Sequence, residues 1–332
     1  MTIEIPVEKW SGAVREVTLG ASTDGGTRTT TVTVGGEATL PFLRFEGVMP
    51  HRPVIAAEVV DTFPQEWPPA LLAAWGDELH DPASWARKAV AAGAELIVLK
   101  LRSCHPDAND HGATEAVAAT KAVLDAVGVP LVVYGPGIPD KDNEVLVAVA
   151  EATKGERIAL ANCLDKNYRT IVAAALGNGH VVVGQTPIDV NLAKQLNILI
   201  SDMGLPLDRV LVDPTTGALG YGIEYTYSVM ERLRLAALMG DVMTQQPMIC
   251  TVGEESWRQK ESRSPDGVPG EWGDYETRAV IWETTTAVTL LHSGADIVVL
   301  RHPAAMAHVR QAIDELMTVG TLEALTASFA TV

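Results

Sequence analysis

The sequence is poor in cysteine and in positive charge, and each shortage excludes a class of function. Three cysteines occur, Cys104, Cys163 and Cys250, and no two of them form a CxxC pair. A zinc site or iron–sulfur cluster built by this chain alone is therefore not expected. Acidic residues outnumber basic ones by 42 to 25, for a formal net charge of −17. Such a surface repels phosphate backbones and anionic lipid, so we expect neither nucleic acid nor a membrane as partner.

Long hydrophobic runs are also missing. No apolar stretch approaches the roughly 20 residues that a membrane-spanning helix needs. The first ten residues, MTIEIPVEKW, lack the basic region and apolar stretch of a signal peptide. An odd cysteine count without a signal peptide is typical of a reducing compartment, so we expect a cytoplasmic protein.

Several catalytic motifs are absent as well. The chain contains no HExxH zinc motif, no GxSxG nucleophile elbow and no GxGxxG dinucleotide turn. No predicted strand ends in a lysine placed for a Schiff base, because Lys100 lies inside its run and short of the end. We expect Lys100 to snorkel or to be charge-paired rather than catalytic.

What the sequence does contain begins with a β-rich segment of about fifty residues. The runs REVTLG and TRTTTVTVGG flank a Gly25-Gly26 turn and predict a β-hairpin. The hairpin is predicted to end near residues 40–42, an apolar Leu-Pro-Phe plug that would cap the bottom of a barrel. We divide the chain into this N-terminal extension (1–50), a barrel (51–318) and a C-terminal tail (319–332).

Short apolar runs alternate with helical patterns beyond Pro53. Each run is continuously apolar, as expected of parallel strands that are buried on both faces. The eight runs are 54–60, 95–101, 130–135, 157–163, 180–185, 209–214, 247–253 and 296–302. Eight such strands predict an α/β fold, a (β/α)₈ TIM barrel with a short N-terminal β-hairpin extension. A doubly wound open sheet is the alternative, but it usually has a glycine-rich phosphate turn.

The C-terminal ends of barrel strands build the functional site in this fold. Neutral hydrogen-bonding groups and small residues dominate those ends here, and our candidates are Asn162, Gln185, Thr186, Asp213, Thr215, Gly217 and Thr251. We assign no catalytic residue and no metal ligand. Gly217, Gly220 and Gly222 form a loop that would let a flat ligand approach closely.

Charged candidates are fewer, and each has an alternative interpretation. Asp213 is a site residue or merely starts an Asp-Pro turn. Glu254 is a site residue or a solvated loop charge. Arg301 and His302 form an anion site, or His302 caps the last helix. Cys250 is more consistent with a small core residue than with a nucleophile.

Two further loops are polar. The His105–His111 loop carries metal-capable groups at irregular spacing, which favours a solvated loop. The segment 252–276 is long and contains Trp257 and Trp272, which favours a lid or a partner contact over disorder.

Longer motifs resemble those of a known family. They are DPTTGALGYGIEY at 213–225, PLVVYGPGIPDKDNEVL at 130–146, PIDVNLAKQLNILI at 187–200, PMICTVG at 247–253 and VVLRHP at 298–303. In these segments the chain resembles the small subunit of the corrinoid iron–sulfur protein, also called the delta subunit of the acetyl-CoA decarbonylase/synthase complex. The resemblance extends through almost the whole chain from about residue 40.

The resemblance implies a methyl carrier of the reductive acetyl-CoA (Wood–Ljungdahl) pathway. A large subunit would carry a [4Fe–4S] cluster and bind the corrinoid (cobalamin) at the interface with this barrel. A methyltetrahydrofolate methyltransferase would load the methyl group, and acetyl-CoA synthase would receive it. No DxHxxG motif occurs, so this chain offers no recognisable histidine ligand for cobalt.

Two enzymatic alternatives remain open. A TIM-barrel methyltransferase that binds a pterin itself would use Asn162 and Asp213. A lyase or aldolase would use Asp213 or Glu254 as its base, although no suitable lysine or metal site supports it. Under the carrier hypothesis the barrel supplies hydrogen bonds and a docking face rather than acid–base chemistry.

Overall fold

The structure, a computed structural model, describes residues 6–319, and the strands of that range form one closed barrel and one hairpin. The barrel order is β10-β3-β4-β5-β6-β7-β8-β9, and every neighbouring pair is parallel. The hairpin strands are β1 Val17–Leu19 and β2 Val32–Val34. The barrel strands are β3 Val54–Val60, β4 Leu96–Lys100, β5 Leu131–Tyr134, β6 Ala159–Cys163, β7 Val181–Gln185, β8 Val210–Asp213, β9 Met248–Cys250 and β10 Ala295–Leu300. The predicted barrel and hairpin are confirmed.

Helices cover the outside of the barrel and connect its strands. They are α1 Pro69–Trp75, α2 Pro82–Ala91, α3 Ala113–Ala126, α4 Pro139–Ala152, α5 Tyr168–Asn178, α6 Val190–Asp202, α7 Ile223–Leu238, α8 Val252–Ser256, α9 Lys260–Arg263, α10 Tyr275–His292 and α11 Pro303–Val319. The polar segment 252–276 therefore contains two short helices, α8 and α9, and a 3₁₀ turn at Gly270–Trp272, so it is not irregular throughout.

The strands divide their side chains between two apolar layers. Successive residues of a strand point to opposite faces, so every second residue faces the barrel interior. In β3, Val54 and Ala56 join the inner layer, whereas Ile55, Ala57 and Val59 pack against the helices. Continuous apolar runs are thus needed because both faces of each strand are buried.

The hairpin closes the N-terminal end of the barrel. Val17, Leu19, Val32 and Val34 belong to the same apolar cluster as the barrel interior, and all four are buried. Because this end is sealed by side chains, a ligand can reach the barrel interior only from the opposite end.

A buried arginine fastens the hairpin to the barrel. Arg28 donates to the carbonyl oxygens of Leu124 at 2.8 Å and Val127 at 2.6 Å, which lie at the C-terminal end of α3. Its Nε also pairs with Glu156 at 3.0 Å. These bonds satisfy helix-end carbonyls that would otherwise lack partners.

One detail of the predicted plug was wrong. Phe42 is buried in the outer layer, edge-to-face with His292 at 5.8 Å between ring centroids, rather than in the barrel interior. The hairpin strands form the seal because their alternating apolar face matches the open end of the barrel. Most of the predicted tail (319–332) lies outside the described residues.

Candidate functional site

A cavity of about 560 Å³ opens at the C-terminal end of the barrel. A pocket of roughly 300–1,000 Å³ is typical of small-molecule sites. Strand ends and the loops that follow them supply its walls, together with α8 and the segment before α1. Its polar lining includes Glu58, Lys100, Arg102, Tyr134, Asn162, Gln185, Thr215, Thr216, Thr251, Glu254, Arg258 and Arg301.

An ion-pair network forms one side of the cavity. Lys100 lies 3.2 Å from Glu58 and forms a very short contact with Glu254. Arg301 pairs with the other oxygen of Glu58 at 2.6 Å and lies over the Trp67 ring, 4.8 Å from its centroid. The two cations and two carboxylates balance one another, as buried charges must to avoid a large desolvation cost.

The network fixes the charge states of its members. Lys100 holds the pKa of Glu254 down to about 2, so this carboxyl is a poor proton acceptor. Burial acts to lower the pKa of Lys100, but Glu58 and Glu254 outweigh it and the pKa is raised. Lys100 is therefore a charged, paired lysine as the sequence predicted, and an unsuitable Schiff-base amine.

A third carboxylate, Glu283, supports the network. Glu283, on α10, accepts bonds from the backbone N–H groups of Arg301 at 2.6 Å and His302 at 3.1 Å. It also accepts from the Trp257 indole at 2.8 Å. Burial raises the pKa of Glu283 to about 7. By accepting these bonds, Glu283 holds the C-terminal end of β10 in place, which positions Arg301 in the cavity wall.

Neutral groups form the facing side of the cavity, and some have no partner. The Asn162 side-chain oxygen and the Tyr134 hydroxyl are both buried without a hydrogen-bond partner among the described residues. Leaving a buried polar atom unpaired costs about 1–3 kcal/mol. Both residues line the cavity, so they are candidates for hydrogen bonds to a ligand.

Asp213 lies at the end of β8 and is completely buried. It accepts a bond from the Thr215 backbone N–H at 2.8 Å and one from the Gln185 amide at 3.3 Å. Burial raises the pKa of Asp213 to about 7. Asp213 therefore exchanges a proton near neutral pH and orients two groups that do line the cavity.

The structure brings some predicted site residues together and separates others. Asn162, Gln185, Thr215 and Thr251 all line the cavity. Thr186 instead lines a neighbouring groove of about 620 Å³, which shares Gly137, Gln185 and Thr215 with the cavity and continues along α6 past Leu192 and Leu199. Contact of any of these residues with a cofactor stays a prediction.

Gly217 lies away from the cavity. A side chain there would meet the backbone of Gly222 at 2.6 Å, and its N–H donates to Thr226 at 2.7 Å. The glycine loop after β8 therefore packs on itself at this point instead of presenting an open backbone to a ligand.

The structure distinguishes between the alternative interpretations of the remaining candidates. Glu254 faces the cavity and is not a solvated loop charge. His302 accepts a bond from the Ala304 N–H at 3.1 Å, so it caps α11, and burial lowers its pKa to about 4. Cys250 is a buried core residue beside Met230, as predicted.

The positions of the two tryptophans in the segment 252–276 do not match the expected lid. Trp257 is buried and stacks on His302, with 5.8 Å between ring centroids. It is therefore a core residue rather than a partner contact. Trp272 is half-buried and lies in a separate surface groove.

Residues that the sequence analysis missed are Glu58, Tyr134 and Trp67. The alternation of side chains between the two faces of a strand would have identified Glu58 and Tyr134. Val54 and Ala56 face the barrel interior, so Glu58 must follow them at the open end, and Tyr134 follows Val132 in the same way. A lone glutamate in the otherwise apolar run VIAAEVV was the available signal.

The site contains no metal cluster of its own. Within residues 6–319, no group of three or more His, Cys, Asp or Glu side chains could hold a metal ion. None of the helices in the described range is long and apolar enough to cross a bilayer. The His105–His111 loop is largely exposed.

Comparison with known proteins identifies the family. The family model for the CO dehydrogenase/acetyl-CoA synthase delta subunit matches residues 16–313. This chain belongs to that family. The acetyl-CoA decarbonylase/synthase complex subunit delta of Archaeoglobus fulgidus is 41% identical over 316 residues, covering 93% of this chain and 70% of the relative. The corresponding subunit of Methanopyrus kandleri is 40% identical over 306 residues, covering 91% and 75%.

Solved structures share the fold at lower identity. Dihydropteroate synthase from Thermus thermophilus superposes with a TM-score of 0.57 at 15% identity, covering 92% of this chain and 99% of that chain. The enzyme from Stenotrophomonas maltophilia gives 0.56 at 16% identity, covering 82% and 94%. At such identity the likeness shows the TIM-barrel fold alone. The family resemblance inferred from the sequence motifs is confirmed by the family model and the relatives.

Proposed function

We propose that this chain is the small subunit of a two-subunit corrinoid iron–sulfur methyl carrier in the reductive acetyl-CoA pathway. Its barrel helps to enclose the corrinoid, while a large subunit carries the [4Fe–4S] cluster. A methyltransferase loads the methyl group from methyltetrahydrofolate, and acetyl-CoA synthase receives it. The observation that carries the proposal is an open cavity with unpartnered amide and hydroxyl groups in a member of the delta-subunit family.

The cavity is better suited to contact a corrinoid that lies across its opening than to enclose one. A pocket of about 560 Å³ encloses a drug-sized molecule, and a corrinoid macrocycle with its amide arms is larger. The amide arms of the corrinoid offer hydrogen-bond donors and acceptors, which match the Asn162 side chain and the Tyr134 hydroxyl. When bound, a corrinoid supplies a cobalt that accepts and gives up a methyl group.

The chain's own residues would bind and orient rather than ligate cobalt. The cavity lining contains neither histidine nor cysteine. Asn162, Gln185, Thr215 and Thr251 would hydrogen-bond the amide arms, and the network around Lys100 would keep that side of the cavity rigid.

Reconstitution with the large subunit tests the proposal. We expect the isolated chain to be colourless and inert, and the assembled pair to show cobalt, iron and a corrinoid absorption spectrum. Asn162→Ala should shift that spectrum or weaken corrinoid retention, because one hydrogen bond to the macrocycle is lost. Asn178→Ala, at the far end of α5, is the matched control. Tight cobalamin binding or substrate turnover by the isolated chain would refute the carrier function.

A pterin-binding methyltransferase is the second candidate, and one observation favours it. Asp213, whose pKa is about 7, lies at the same end of the barrel as the unpartnered Asn162 oxygen. Asn162 would contact the hydrogen-bonding edge of a pterin directly, and the buried Asp213 would act through Gln185, which donates to it and lines the cavity. Calorimetry of the isolated chain with methyltetrahydrofolate separates the two functions, because only the methyltransferase binds it without a companion. The lyase alternative now depends on Asp213 alone, since the pKa of Glu254 is about 2.

A further inference from the structure

An aromatic groove lies outside the barrel, between α10 and the preceding segment that carries α9 and Trp272. Its volume is about 470 Å³, and Trp272, Ile281 and Trp282 form its apolar lining. Ile281 exposes 50% of its surface. Nothing in the proposed corrinoid site requires a groove at this position.

The exposed surface continues from the groove onto α7. The Tyr221 hydroxyl donates to Glu261, a lining residue of the groove, at 3.2 Å. Gly220 lies against the Trp282 ring, since a Cβ built there would come within 3.7 Å of it. Tyr221 is 50% and Tyr225 65% exposed. We call the surface formed by Tyr221, Tyr225, Trp272, Ile281 and Trp282 the shoulder surface.

The shoulder surface is held in a fixed shape by a buried arginine. Arg278 donates to the carbonyl oxygens of Glu261 at 2.6 Å and Ser264 at 2.7 Å. Its guanidinium also lies 5.8 Å from the Trp272 ring centroid. The segment that carries Trp272 is therefore fastened to α10, and a preformed apolar groove loses little conformational entropy when a partner binds.

Several exposed apolar side chains lie on the shoulder surface. Among residues 6–319, Tyr221, Tyr225 and Ile281 are three of the eleven large hydrophobic side chains with substantial exposure. An exposed apolar surface of this kind marks interaction sites, and aromatic residues are enriched in the cores of protein interfaces.

Charges around the groove indicate which kind of partner fits. Glu261 and Asp274 line it beside the buried Arg278, and Glu271 and Glu276 are exposed next to lining residues in the sequence, against the exposed cations Lys260 and Arg263 of α9. A second copy of this chain would bring the same acidic rim and a net charge of −17. Like charges placed opposite one another cost several kcal/mol, whereas basic side chains would be attracted.

We propose that the shoulder surface is the docking face for a companion protein subunit that presents apolar side chains inside a rim of lysine and arginine. The inference rests on the proposed function for the identity of that companion, the large subunit of the carrier. The inference specifies which face of the barrel the large subunit contacts. This face lies at the outer edge of the barrel end that carries the cavity.

Binding of the full chain to the purified large subunit tests the inference. Ile281→Glu should weaken the complex by about tenfold or more, because a charge would enter the apolar centre of the interface. Leu176→Glu is the matched control. Leu176 is 43% exposed on α5, whose strand β6 lies three strands away from β9, and its variant should bind like the wild type. Sedimentation velocity gives the affinities, and circular dichroism checks that both variants fold.

Charge reversal provides a second readout. The double variant Glu271→Lys/Glu276→Lys should slow association and flatten its dependence on salt, because screened attraction between rim charges would be lost. Stopped-flow measurements at two ionic strengths would detect both changes.

Each outcome has a separate meaning. If Ile281→Glu binds as tightly as the wild type, the inference is wrong while the proposed function stands. If the chain self-associates and Ile281→Glu makes it monomeric, the occupant is a second copy and the inference is also wrong. If the wild type and Leu176→Glu both fail to bind the large subunit, the proposed function itself fails.

Discussion

The two ends of the barrel differ in how they are closed. At the N-terminal end, Arg234 is buried and donates to Asp296 at 2.9 Å and to Glu37 at 3.3 Å, although its Nε has no partner among the described residues. Asp296 also accepts from the Met248 N–H at 2.7 Å. The apolar hairpin closes the remaining space, so this end leaves no room for a ligand.

At the C-terminal end, charges are paired but neutral groups are left without partners. Lys100 and Arg301 neutralise Glu58 and Glu254, whereas Asn162 and Tyr134 each keep one buried polar atom unbonded. A fold optimised only for stability would pair or remove those atoms. The sealed end therefore stabilises the barrel, whereas the open end leaves neutral hydrogen-bonding groups unpaired, as the proposed corrinoid contact requires.

Breaking the sealed end should have the largest effect on stability. Arg234→Met leaves Glu37 and Asp296 buried beside each other without a cation, and we expect a loss of about 3–5 kcal/mol in the free energy of unfolding. Urea denaturation would measure it. Arg87→Met, which removes an exposed ion pair with Asp81, should cost less than about 1 kcal/mol. Equal effects of the two substitutions would contradict the assigned role of the sealed end.

Asp213 should make the open end sensitive to pH. Burial raises its pKa from 3.8 in the unfolded chain to about 7 in the folded one, so the folded state binds more protons between these values. Stability is then greatest below pH 4 for this group and falls as pH rises through 7, by on the order of 1 kcal/mol between pH 6 and 8. Asp213→Asn should remove this part of the slope in thermal melts.

The control for this pH effect is Asp241→Asn. Lys194 holds the pKa of Asp241 below its usual value, so that carboxyl affects stability only in acid. An unchanged slope between pH 6 and 8 in Asp213→Asn would show that Asp213 is already ionised in the folded protein.

Sequence patterns were sufficient for the barrel because every strand is buried on both faces. Eight apolar runs predicted eight strands, and six of the seven cofactor-contact candidates lie within one residue of a barrel strand end or in the loop beginning there, with Gly217 farther along. The same patterns misplaced the plug, because Phe42 is apolar and buried but packs outside the barrel. Composition shows that a residue is buried, and only its position in the fold shows in which layer.

The site was harder to predict because its charges come from positions that look like core. Glu58 and Lys100 lie inside apolar runs and meet Glu254 across the barrel only when the sheet closes. Counting alternate residues from the inner-facing valines would have placed Glu58, Lys100 and Tyr134 in one layer at the open end of the barrel. Asp213 lies beneath the cavity rather than in its wall, and it accepts a bond from the Thr215 N–H in the turn that the Asp-Pro pair had indicated.

The smallest effect is expected at the open end, at the Tyr134 hydroxyl. Tyr134→Phe deletes a buried oxygen that has no partner, and the ring keeps its position 5.4 Å from the Lys100 ammonium. We expect the free energy of unfolding to stay the same or rise by up to about 1 kcal/mol, because an unsatisfied group costs free energy that its removal recovers. Tyr221→Phe, whose exposed hydroxyl does have a partner, should be neutral or slightly destabilising. A loss of more than about 1 kcal/mol in Tyr134→Phe would mean that the hydroxyl is bonded in the ligand-free protein, and the contrast between the two ends would then rest on Asn162 alone.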